Sequence, residues 1–269
     1  SALMDTAVNP ERAALLGSAY KRQAGLAAQL LLETAQRPDA VNEDELRQVQ
    51  HVLAEAIASS TKAYRAAERT TNGQYSPYQA LNRLALEALM PVTVQSPRTT
   101  AIEVARQCAQ AAVQSFQGNT NVWDAEMLAE ALLVERMLDD TLASPGNIGQ
   151  TALVELKTSY DRALAEVSAR PSQVDSISAH LELLSCLADA LSLSSNAPGG
   201  SRKRHLSTLA SHLLELAEHL QPGRSKRVDR PRLPVSPDDS LAKPLAKRAK
   251  PHAAVKKSKP SIRGAGRRK

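Results

Sequence analysis

Between residues 10 and 223, apolar positions recur every three or four residues and lapse at short segments rich in Pro, Gly, Ser and Asn. That spacing places the apolar side chains on one stripe of a helix, so the pattern predicts roughly eight amphipathic helices joined by short loops. Leu206, Leu209, Leu213, Leu216 and Leu220 show it most clearly, with Val104, Cys108, Ala111 and Ala112 forming a smaller stripe upstream. Start signals agree with the periodicity. Asn9-Pro10-Glu11 offers a cap, a proline at the first helical position and an early acid. Ser76-Pro77-Tyr78-Gln79 has the form of a capping box, Ser96-Pro97 opens the next helix, and Ser172 to Asp175 after Pro171 is a weaker variant. Short loops between helices of this length make antiparallel neighbours.

Composition narrows the fold class. Aromatic residues are 3% of the chain, and Ala and Leu carry most of the 42% apolar content. A β-sandwich or barrel draws on Val, Ile and aromatic side chains, whereas Ala and Leu are strong helix formers. Cys108 and Cys186 lie in apolar helical stretches, which reads as two buried free thiols rather than a redox pair, and as a reducing, cytoplasmic setting. No uninterrupted apolar run reaches the ~20 residues of a membrane span. The opening SALMDTAVNPERA lacks the pattern of a signal peptide, and residues 1–9 read as a disordered or cloning-derived start.

Charge divides the chain in two. Residues 224–269 hold 16 Lys and Arg against 3 Asp and Glu, a net of +13, while residues 1–223 carry a net of −7. The basic segment is punctuated by proline and has no helical period, so it reads as a disordered tail that cannot offset its ordering entropy.

A repeat underlies the helices. Leu16-Gly17 with Tyr20 in the first helix is answered by Leu84-Ala85 with Ala88 in the third, an offset of 68 residues. That is twice the ~34-residue tetratricopeptide period. GSAYKR and AYRAAERTTNGQYSPYQALNRLAL resemble tetratricopeptide segments. Together with NVWDAEMLAEALL and SYDRALAEVSARPSQVDSISAHLELLSCLADAL, they are similar to the C-terminal repeat regions of bacterial proteins that carry a caspase-like CHAT domain. The resemblance covers roughly residues 10–193 and departs at Gln50, where a Leu is expected. It implies an all-α, right-handed superhelical stack of antiparallel helix pairs over residues 10–142, followed by a helical bundle or capping helices over 143–223. Its first helices would line a concave face for a peptide or partner helix, with Lys21, Arg22 and Asn82 facing that groove. Tyr20, Tyr64, Tyr78 and Leu84 read as packing residues.

No catalytic apparatus is legible. The chain has no G-x-S-x-G, P-loop or dinucleotide motif, and Gly146 to Thr151 reads as a helix–helix turn. His180 and Cys186 sit six apart on one predicted helix and face nearly opposite ways. His205, His212 and His219 share a face but step by ~10 Å, too far for one metal ion, so no metal, cofactor or catalytic residue is assigned. Arg202, Lys203 and Arg204 at a helix start are a candidate anion contact, with a solvated charge run as the alternative. The expectation is therefore a non-enzymatic protein-interaction scaffold or sensor that regulates a linked caspase-like protease. The alternative is a helical protein whose basic tail binds nucleic acid through counterion release.

Overall fold

A computed structural model describes residues 9–36, 43–69, 73–90, 98–116, 121–193 and 200–221. Among them are eight α-helices and no strand. They are α1 (Pro10–Ala35), α2 (Glu43–Ala67), α3 (Pro77–Leu89), α4 (Arg98–Phe116), α5 (Val122–Leu138), α6 (Asn147–Glu166), α7 (Pro171–Leu193) and α8 (Ser201–Leu220). The predicted all-α class thus holds. The start at residues 1–8, the Ser96-Pro97 signal and the basic tail lie outside the described residues.

Local signals act at several helix starts, though not always as the sequence pattern predicts. Asn9 caps α1 through its side-chain oxygen, which accepts from the Glu11 amide at 2.9 Å, and Pro10 occupies the first turn. At α3 the expected capping box does not form. The Ser76 hydroxyl donates to the Gln79 side chain, leaving no side-chain bond to the helix amides. At α7 the box is shifted: Gln173, not Asp175, reaches back and accepts from the Arg170 amide at 2.8 Å.

The sequential helices that pack most closely are α1 with α2, α7 with α8 and α4 with α5, whereas α6 and α7 do not pair although only residues 167–170 join them. The short helix α3 is the hub and packs against α2, α4, α5 and α7. Leu81, Leu84, Ala85, Leu86 and Leu89 of α3 are all buried without residual exposure. Packing also joins elements distant in sequence, since α7 lies against α1 as well as α3. By length and composition α7 is apolar enough to cross a membrane, but most of it is buried within this fold.

Candidate functional site

Helix α5 carries two acids, Glu126 and Glu130, one turn apart in a segment otherwise dominated by Ala, Leu, Met and Val. A helix apolar all round belongs in a core, and both acids are buried with it. Glu130 is satisfied. Tyr160 of α6 donates its hydroxyl at 2.8 Å, and His180 of α7 lies 3.0 Å from the other oxygen. Burial alone would raise the Glu130 pKa, but His180, Tyr160 and Lys21 outweigh it and hold the carboxyl below its usual range. Glu126 goes the other way. Burial, reinforced by Glu130, pushes it well above that range against the opposing pull of Lys21. Tyr160 is likewise pushed up by burial and by both acids. The two carboxyls are thus pushed in opposite directions, Glu126 up by burial and Glu130 down by its cationic and hydrogen-bonding partners.

The residues expected to face a groove meet this cluster. Lys21 of α1 donates to Asn82 Oδ1 of α3 at 2.5 Å, and the Asn82 amide donates to the Tyr78 carbonyl at 2.8 Å. Lys21 also stands over the Tyr64 ring, 6.0 Å from its centroid. Two of the three groove candidates therefore bond to each other, while Arg22 is half-buried one position on. Helix α7 packs on α1 and α3 and bonds to α5 through His180.

The candidate anion contact divides. Lys203 and Arg204 are exposed, but Arg202 is half-buried and donates to the Leu89 carbonyl at 2.5 Å, satisfying the end of α3. Burial and neighbouring Arg98 hold the Arg202 pKa below its ordinary value, with Asp140 opposing them. Arg98 pairs with Asp140, whose other oxygen lies 3.4 Å from His205. The three helix-α8 histidines have separate partners: His212 bonds the Leu142 carbonyl at 2.6 Å, and His219 pairs with Asp161 at 3.0 Å. Among the described residues no group of three or more His, Cys, Asp or Glu is placed to hold a metal ion.

Cys108 is buried and Cys186 half-buried, and both are free. Burial pushes their thiols up to about 12 and about 11. His180 is engaged with Glu130 rather than activating Cys186. Residues Asn147 to Thr151 form the first turn of α6 and edge an open recess with Arg136. The Arg136 guanidinium is already held by Glu155 at 2.9 Å and Asp139 at 3.1 Å.

The least satisfied surface is apolar. Leu15 is 58% exposed, Leu16 52%, Leu26 49%, Leu30 42% and Tyr20 37%, all on α1. Five of the eleven exposed large apolar residues thus fall on one helix, and none of the remaining described helices carries more than two. Leu16 and Tyr20, the repeat-signature residues, point outward here. Only Gly17 among them makes the close approach, with its carbonyl accepting from the buried Ser60 hydroxyl at 2.8 Å. The groove candidates came from the tetratricopeptide resemblance; the exposed face was readable from helix pattern, as apolar residues at 15, 16, 26 and 30 beyond the buried stripe. No protein-family model, curated protein or solved structure matches the chain.

Proposed function

We propose that this chain is a protein-interaction module, a tetratricopeptide-like helical scaffold, and that it binds through the outer face of α1. The observation that carries this reading is the concentration of exposed Leu and Tyr side chains on α1. Contiguous apolar surface on an otherwise polar protein marks an interaction site. The concave groove is the less suitable surface. Lys21 and Asn82 are committed to each other, and α7 packs on both α1 and α3, the helices that carry them. Helix α7, from the region read as a C-terminal bundle or capping helices, packs on α1 at the other end of the repeat region. Regulation of a linked caspase-like protease rests on the sequence resemblance of residues 10–193.

A photo-crosslinking side chain placed at Leu26 of the full chain tests the reading in the cells the protein comes from. An adduct to a protein, absent when the same group replaces exposed Lys62 of α2, is the expected result. No adduct at Leu26 refutes the α1 face as the binding surface. The net charge of +13 over residues 224–269 favours a second reading, nonspecific polyanion binding by the tail. Salt-steep binding to a mixed-sequence oligonucleotide that vanishes on truncation after residue 223 would establish it.

A further inference from the structure

The exposed stripe of α1 is self-complementary. Arg12, Leu15, Ala19, Gln23, Leu26, Leu30 and Glu33 follow one another in steps of three and four, and each is exposed. At ~100° per residue that spacing keeps them on one face. Reversed about a point midway between Arg22 and Gln23, the stripe sets its basic end against its acidic end and its leucines against apolar positions. Laid antiparallel on a second copy, Arg12 meets Glu33, Leu15 meets Leu30, Ala19 meets Leu26, and Arg22 meets Gln23. Because a two-fold interface is isologous, every such pair occurs twice. No ion pair within the chain engages Arg12 or Glu33 among the described residues, so both charges are available.

We propose that the α1 faces of two copies of this chain pack antiparallel into a two-fold dimer, with Arg12–Glu33 pairs closing both ends of a Leu15, Leu26 and Leu30 seam. The proposal rests on the reading of α1 as the interaction surface and names its partner. A parallel pairing would set Arg12 against Arg12 and Glu33 against Glu33, so the end charges select the antiparallel register. The alternation of Leu15 and Leu26 with the small Ala19 lets facing side chains interdigitate. The stripe from Arg12 to Glu33 is ~32 Å long and one helix wide. That is less than the ~800 Å² per partner of a standard complex, so the dimer is weak, with a dissociation constant on the order of 10 µM.

Sedimentation equilibrium of the full chain from about 1 to 100 µM spans that value. The wild type should pass from monomer to dimer over this range, and Leu26→Lys should stay monomeric. Arg12→Glu alone sets like charges together at both ends and should weaken the dimer about tenfold. Adding Glu33→Arg to Arg12→Glu restores opposite charges and should recover the wild-type constant. A wild type monomeric at every concentration overturns the proposal, as does a dimer indifferent to Leu26→Lys. A dimer weakened by Arg12→Glu but not recovered by the double exchange overturns the antiparallel register. The Leu26 crosslinker separates this from the broader reading. An adduct to a second copy supports both, an adduct only to a different protein overturns self-pairing alone, and no adduct overturns both.

Discussion

Replacing Gly17 by Ala sets helix propensity against packing. Gly17 lies inside α1, where Ala is favoured over Gly by about 1 kcal/mol. Yet a Cβ at this position would stand 2.8 Å from Cδ1 of Tyr64 and 2.9 Å from two further ring carbons. The ring cannot yield. Tyr64 is fully buried, its hydroxyl is hydrogen-bonded to Ser18 at 3.1 Å, and Tyr78 meets it edge-on at 6.4 Å. Relief would require α1 and α2 to separate, at the cost of the Ser60-to-Gly17 bond. Forcing a methyl against a ring locked this way costs toward the upper end of about 1–3 kcal/mol, of which propensity returns about 1 kcal/mol. The net expectation is a loss of about 1–2 kcal/mol, which lowers the melting temperature by about 2–8 °C for a body of this size. Gly25 provides the internal control. A Cβ there meets Leu183 Cδ1 at 2.5 Å, but the next atom is 3.9 Å away, and Leu183 can swing its terminal methyl aside. Gly25→Ala should therefore stay within about 1 kcal/mol of wild type. Urea unfolding followed by circular dichroism reads both variants. A Gly17→Ala chain as stable as wild type, or more stable, refutes the close α1–α2 approach.

Other expectations follow from buried charge. The raised Glu126 pKa means the folded chain keeps a proton that the unfolded chain releases near pH 4.3. This contribution is therefore full below that pH and declines as pH rises toward the folded pKa, by about 1.4 kcal/mol per unit. Glu126→Gln should abolish that decline and be more stable than wild type at neutral pH, with little difference at pH ~4; denaturant midpoints across pH check it. The lowered Glu130 pKa has the opposite sign, with stability present above ~4.3 and lost as pH falls through the folded value. Arg83 is buried between Glu68 at 2.5 Å and Glu87 at 2.6 Å. Arg83→Met leaves Glu68 without its buried partner and should cost about 3–5 kcal/mol in equilibrium unfolding. A thiol reagent at pH ~8 should leave Cys108 unmodified in the folded chain and label it on denaturation, because burial withholds the thiolate.

Much of the architecture was legible in the chain. Helices, the Asn9 cap and the leucine stripe of α8 are local or periodic features, and local physics decides them. Gly17 stood in the repeat signature, and it is where α1 comes close to Tyr64 of α2. What periodicity does not encode is which element covers which face. Lys21 and Asn82 sat at groove-like positions, but only the fold brings them together and lays α7 beside them. Leu16 and Tyr20 matched the repeat core, yet the exposed side of α1 takes them. The Glu126–Glu130 pair left a trace, two acids one turn apart in an apolar helix, but the partners Tyr160 and His180 are 30 and 50 residues away. Caps slipped by a residue or two at α7, where Ser, Gln and Asp all offer the helix start an acceptor.

The two-sidedness of α1 is the claim on which the functional account depends. Equilibrium unfolding of Leu26→Lys beside Leu31→Ala, at a chain concentration of about 0.1 µM where a weak dimer is dissociated, tests it most directly. Leu26 is half exposed and Leu31 fully buried five residues along the same helix. The account predicts that Leu26→Lys stays within about 0.5 kcal/mol of wild type, while Leu31→Ala loses about 2–5 kcal/mol. Comparable losses in both variants would mean that the chain itself covers the outer face of α1, and would contradict the account.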